Sequence, residues 1–446
     1  HSCAADSGLM QSSQWIATAR VLRRAGFGAS GPQVDAVSGQ DLSAYLDAAL
    51  AQDPDADPGA LATPMPQLQA PPQKPGKKAT QAARKQFNRQ LADESAALSG
   101  WWVDRMVAVE QPVHEKLTLL WHNHFATSAR KVRVAAYMAA QNQKLRTLSL
   151  GDFRSLAFAM LTDAAMLRWL DGQSNTAKAA NENLAREFME LFALGHGNGY
   201  TEDDVREGAR ALTGWMIDRD GQTRLNPKRH DAAQKTLLGV TGDLDAANYC
   251  DIVLAQPNSA TFVAGRLWQQ LASDAGPSPA ALDRVVSAYG PGRDLKALTK
   301  SILTDPEFLG SSNTVVNTPV EWLVGVIRSL RVPVDSAPRA KVVDTVLKGL
   351  GQQPFYPPDV GGWPHGQPWL STATAGVRLR AATNLARAAD LSTVEQAAAT
   401  DRLDAAAYLI GVGAWTDCSA KALEPLTNNP PQLVAAAVNT PEYLTS

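Results

Sequence analysis

Cysteine is almost missing from this chain. Cys3, Cys250 and Cys418 are the only three in 446 residues. None lies within metal-ligand spacing of another, which argues against a zinc cluster and against a disulfide scaffold. An excess of one charge is missing too. Lys and Arg total 42 and Asp and Glu total 44, so the balance gives no reason to propose nucleic acid or an anionic membrane as partner. No run approaches the roughly 20 apolar residues that span a bilayer. The opening HSCAADSGLM has no charged region followed by an apolar run, so no signal peptide is visible. That favours a cytoplasmic location, or export if the first residue is a processed end. Residues 1–9 read as an appended or processed tail. No nucleophile elbow, CxxC, HExxH or P-loop occurs, so serine-hydrolase, dithiol, zincin and nucleotide-binding readings lose ground.

What is present is helical periodicity. Residues 12–27 read as a first helix stopped by Gly26 and Gly28, and a second covers about 40–51. Residues 53–78 carry seven prolines and no apolar period, which reads as a long, mobile surface excursion. Helix resumes from Thr80 through Leu98, and Pro112 opens another over HEKLTLLWHNHFATS. Residues 131–170 give two more. Trp215 to Leu225 reads as a β-hairpin around Asp220-Gly221, a type I′ turn pair. Helical pattern returns over 244–309, 318–350 and 376–446. The segment PFYPPDVGGWPHGQPWL is an irregular loop. With no repeat and no series of strands, the expected fold is mostly α: one large multi-helix domain over 12–446, with a hairpin near 214–225 and long irregular loops.

Chemistry concentrates between Asn181 and Trp215. On a helical wheel, Leu184, Ala185, Phe188, Met189, Leu191 and Phe192 fill one arc, and Glu182, Asn183, Arg186, Glu187 and Glu190 the other. Glu182, Arg186 and Glu190 stand at i, i+4, i+8, the spacing of a solvated charge ladder. If the same face lines a cleft, Glu187 and Glu190 are one turn apart. Like-charge repulsion then raises one pKa while Arg186 holds the other carboxylate ionised, the usual equipment for general acid and base work. The turn GHGNGYT follows. Its glycines suggest phosphate binding, but Thr201 with Asp204 forms a capping box. Glu202, Asp203 and Asp204 crowd the first helical turn and would repel a phosphate. Asp204 is a reserve acid/base candidate. Trp215 beside these acids suits a sugar-stacking platform, and equally a core position.

Five of the seven histidines (His122, His124, His196, His230 and His365) lie in such segments. On a regular helix His122 and His124 are about 200° apart and cannot ligate one metal. Each has a structural alternative, a hydrogen bond to a neighbouring helix.

Five blocks resemble, in order, a bacterial family catalogued as domain of unknown function 1800. They are Val21-Leu22-Arg23-Arg24-Ala25-Gly26-Phe27-Gly28; Trp121-His122-Asn123-His124-Phe125; Asn181-Glu182-Asn183 through Ala211-Leu212-Thr213-Gly214-Trp215; His230-Asp231, Lys235 and Gly239; and Val360, Gly362-Trp363, Gly366 and Trp369-Leu370. Gly361 stands where the family more often has Ala. The resemblance names no reaction.

Three readings follow. The first is a carboxylate-dependent hydrolase acting on a polar, glycan-like small molecule or oligosaccharide. In it Glu187 and Glu190 are acid and base with Asp204 in reserve. Glu182, Arg186, His122, His124 and His230 orient or stabilise, Trp215 and Trp363 stack on substrate, and no cofactor is required. The second is a divalent-metal enzyme with ligands from His122 or His124, His230 and nearby carboxylates. The third is a non-catalytic binding or assembly protein whose motif blocks are buried hydrogen-bond networks.

Overall fold

The architecture comes from a computed structural model that describes residues 11–69, 73–310, 315–333 and 337–445. The tail at 1–9 lies outside them. Helices dominate the described residues, and the only strands among them form two small antiparallel pairs, so the fold is mostly α.

The helix Val113–His124 is the axis of the fold. From Val113 through His122 every residue is buried, although five side chains of this helix are ionisable. Buried charge is tolerated only when it is paired and hydrogen-bonded, and each turn of this helix meets that demand. Glu115 accepts from Trp102 Nε1 at 3.0 Å, Arg105 Nε at 3.2 Å and Arg146 Nη2 at 2.7 Å. Burial alone would raise the Glu115 pKa, but Arg146 and Arg105 hold it below the ordinary value. Lys116 is paired with Glu321 and donates to the Gly26 carbonyl at 3.3 Å. Apolar residues of the same helix divide between two cores. Leu117, Leu120 and Trp121 pack with Phe153, Phe188, Phe192 and Trp268. Leu119 packs with Trp102, Trp322 and Phe355. Trp169 and Ile217 touch both cores.

Several elements depart from the sequence expectation. A helix over Gly31–Ser38 was not expected; a capping box between Ser30 and Gln33 starts it. The helix after the proline-rich segment runs over Gln81–Ala108, well past Leu98. The segment 131–170 holds three principal helices, Ala135–Leu148, Phe153–Leu161 and Ala164–Trp169, rather than two. The proline-rich excursion is not a free loop. Asp57 caps a short helix, Pro58–Leu61, and its carboxylate also takes the Glu110 and Gln111 amides at 3.0 and 2.9 Å. Trp101 donates to the Thr63 carbonyl, and Leu68 packs on the second core. Cys250 is free and buried, whereas Cys418 is disulfide-bonded, which cysteine spacing did not reveal.

The expected hairpin is present, with β1 (Trp215–Ile217) paired to β2 (Thr223–Leu225) in the register Trp215↔Leu225. Its turn is not type I′. Of the pair Asp220-Gly221 only Gly221 has positive φ, and the loop is closed by Asp218 Oδ1, which accepts from the Asp220 and Gln222 amides. A second hairpin, β3 (Lys235–Leu237) with β4 (Val240–Gly242), was not expected. Both of its turn residues, Leu238 and Gly239, have positive φ, 48° and 82°, as a type I′ turn requires.

Candidate functional site

The segment Asn181–Ala193 is not one regular helix. It is α-helical over Asn183–Glu187 and π-helical over Phe188–Ala193, with the Leu194 and Gly195 amides both directed to the Met189 carbonyl. A wheel drawn at 3.6 residues per turn therefore fails beyond Glu187. The apolar arc is nonetheless buried, Leu191 only partly, because core contacts hold the wider turn in place. Such π segments recur at functional sites, where an extra residue re-aims the side chains of one turn.

Glu187 and Glu190 stand at this junction. Glu187 is partly exposed and makes no hydrogen bond or ion pair among the described residues. Burial and the neighbouring Glu190 push its pKa up, against a smaller opposing pull from Arg186. Glu190 bonds His196 Nδ1 at 2.6 Å, and the His196 side chain is 85 % exposed. Tyr200 completes the cluster. Its hydroxyl accepts from the Gly197 amide at 3.2 Å, and its pKa is raised by burial and by Glu190. His196 and Tyr200 were not among the expected site residues. The usable signal was the position of His196 in a glycine turn six residues after Glu190.

Arg186 is committed elsewhere. It forks onto Glu202 with two bonds of 2.8 Å and bonds Glu182 at 2.9 Å. The ladder of Glu182, Arg186 and Glu190 is thus half made, since Glu190 turns to His196.

Asp204 is not free for acid/base work. One of its oxygens takes the Thr201 amide and hydroxyl in the capping box, and the other takes the Leu238 amide at 2.8 Å. It holds the strained turn of the second hairpin. Three residues on, Glu207 accepts from the Thr236 amide and from Arg210, and Arg210 bonds Asp231 at 2.8 Å. Asp204 and Glu207 therefore fasten the helix Glu202–Ala211 to β3 and its turn. His230 belongs to this corner, not to Glu187. Its Nδ1 lies 3.0 Å from the Thr213 carbonyl and its Nε2 is 3.9 Å from Asp243. Gly214, at φ 97°, is required here, because a Cβ would stand 2.9 Å from the His230 nitrogen. Trp215 follows on β1, half-buried against the first core.

His122 and His124 point apart, as their spacing dictates, and both are buried. His122 Nε2 accepts from the Phe355 amide at 3.0 Å, fixing a residue with φ 75°. His124 Nε2 donates to the Phe192 carbonyl at 2.9 Å, gripping the π segment from its core side. Burial pushes both imidazoles down to about 3, so both are neutral at physiological pH. Between them Asn123 Oδ1 accepts from the Trp363 amide at 2.8 Å. Gly362 fits there only as glycine, since a Cβ would come within 2.4 Å of that oxygen. Trp363 is 5 % exposed and packs on the His122 ring, so it presents no face to a sugar. The motif Trp121–Phe125 thus ties three distant segments together, and the structure does not bring its histidines to the carboxylates. Among the described residues no group of three or more His, Cys, Asp and Glu side chains is arranged to hold a metal ion.

Fold and site define a mostly α-helical protein with a partly exposed carboxylate pair at an α-to-π junction. The model of the family described as "Protein of unknown function (DUF1800)" matches residues 20–445, and the chain belongs to that family. No curated protein and no solved structure matches it.

Proposed function

We propose that the protein is a hydrolase that acts on a polar, glycan-like substrate by general acid/base catalysis at Glu187 and Glu190. The observation that carries this reading is a partly buried carboxyl on Glu187, with no partner among the described residues, beside a Glu190 carboxyl group fixed by His196 at 2.6 Å. Two carboxyl groups in unequal environments divide into a proton donor and a proton acceptor. Glu187, partly desolvated and without a partner among the described residues, is the donor. Glu190, held by an exposed imidazole, is the base that activates water, and His196 passes the proton to solvent. Tyr200 fixes the glycine turn that carries His196 by accepting from the Gly197 amide. The glycan-like class rests on Trp215, which is partly buried against the first core and is the remaining Trp candidate for sugar stacking. The test is turnover of a panel of soluble polysaccharides and aryl glycosides by the wild type, Glu187→Gln and Glu190→Gln.

A second reading, a non-catalytic assembly protein, is favoured by a separate observation. His122, His124, Asp204 and Glu207 are all spent on backbone groups that fix the packing of distant segments. The two readings part at Glu187. A packing role needs partners for it, and it has none among the described residues.

A further inference from the structure

A cavity of about 210 Å³ lies away from the carboxylates, where the helices Ser13–Arg24, Gly31–Ser38 and Leu42–Ala51 meet the start of Val113–His124. Leu22, Val37, Leu46, Ala49 and Val113 give it an apolar wall, and Gln33, Glu110 and Gln111 a polar margin. One cation stands among them. Arg328 reaches in from the helix Pro319–Ser329 and uses Nη1 alone, bonding the Met106, Val107 and Val109 carbonyls at 3.1, 3.0 and 2.6 Å. Its Nε and Nη2 make no hydrogen bond, and it forms no ion pair among the described residues. Arg328 is partly buried, and its desolvation lowers the guanidinium pKa to about 10, which still leaves it charged at neutral pH. The carboxylate that acts on it, Asp57, is already occupied by the Gly59, Glu110 and Gln111 amides. Glu110 itself stands exposed at the rim. Beside the cavity Tyr45 accepts from Gln111 Nε2 at 3.2 Å and has no acceptor for its own hydroxyl proton among the described residues.

A partly buried cation with no carboxylate in direct contact is costly, and a carboxylate answers a guanidinium with two parallel bonds. The apolar walls call for a hydrocarbon tail, and a dry cavity of about 150 Å³ already accommodates a benzene ring. We propose that this cavity binds a short-chain monocarboxylate, with the carboxylate on Arg328 and Tyr45 and the alkyl tail against Leu22, Val37, Leu46 and Ala49. The site is independent of Glu187 and Glu190.

The test is calorimetric titration of the full chain with hexanoate, and with hexanol as the uncharged comparator. One hexanoate binds per chain, and hexanol binds at least tenfold more weakly. Ala49→Leu fills the space and weakens hexanoate at least tenfold. Arg328→Gln keeps a donor for the helix-end carbonyls, removes the charge, and abolishes the preference for hexanoate over hexanol. No hexanoate binding by the wild type, or equal affinity for the two probes, overturns the proposal. So does unchanged hexanoate affinity in a folded Ala49→Leu. If that variant does not fold, a hexanoate preference retained in Arg328→Gln overturns it instead.

Discussion

His124 donates its Nε2 proton to the carbonyl of Phe192 at 2.9 Å, across 68 residues of sequence. That bond joins the buried axis of the fold to the π segment carrying Glu190, so the helix that organises the core also shapes the turn on which the carboxylates stand. Its Nδ1 is buried with no partner among the described residues. The tautomer is therefore set by Phe192, and the ring has no use for a second proton.

This has a consequence for pH. Unfolded, His122 and His124 each take up a proton as pH falls through about 6.5. Folded, each resists protonation down to about 3. Protonation favours the unfolded chain across that window. Stability is whole above about pH 6.5 and falls below it, by up to about 1.4 kcal/mol per pH unit for each histidine. Urea unfolding at pH 7.5 and 5.0 measures the loss. His122→Gln retains an acceptor for the Phe355 amide and removes one titrating group, so its loss is smaller. An equal loss in wild type and variant contradicts the assignment.

The acids of the helix Glu202–Ala211 give a second prediction. Asp204→Ala removes a cap and strands the Leu238 amide in a turn that a leucine adopts only under constraint. Losing a cap costs about 1 kcal/mol, and an unmet amide adds a comparable amount. A drop of about 2 kcal/mol in unfolding free energy is expected, with hydrolytic turnover retained. Loss of turnover with unchanged stability would return Asp204 to the catalytic set.

How far the site was legible follows from these residues. Amphipathic spacing places Leu184, Phe188 and Phe192 in the core and Glu187 and Glu190 outside it, because burial follows local period. It does not reveal the π segment, since nothing in FMELFA marks a change of pitch, and it takes Arg186 for a partner of the pair when Glu202 claims it. The β1–β2 hairpin is readable from alternation. The β3–β4 hairpin is not, because three-residue strands carry too little pattern and their turn depends on Asp204, 34 residues away. His122 and Trp363 look like site residues because they stand in the motif blocks. Their partners, Phe355 and Asn123, stand 233 and 240 residues away, and long-range pairing leaves no trace in a single sequence.

A third prediction separates catalysis from packing. Glu115→Ala abandons Arg146 and Arg105 in the core, and breaking a buried ion pair costs about 3–5 kcal/mol. Glu187→Ala removes a carboxyl with no partner among the described residues and relieves its repulsion with Glu190, so stability shifts by no more than about 0.5 kcal/mol. Chemical denaturation of both variants is the check. A large loss in Glu187→Ala would favour the assembly reading.

The most direct measurement is kcat on a glycan substrate for the wild type, Glu187→Gln and Glu190→Gln, with melting temperatures recorded alongside. General acid or base catalysis contributes about 10²–10⁴ in rate, so each variant is expected to lose at least a hundredfold in kcat while melting within a few degrees of the wild type. Full turnover in either folded variant would contradict the account.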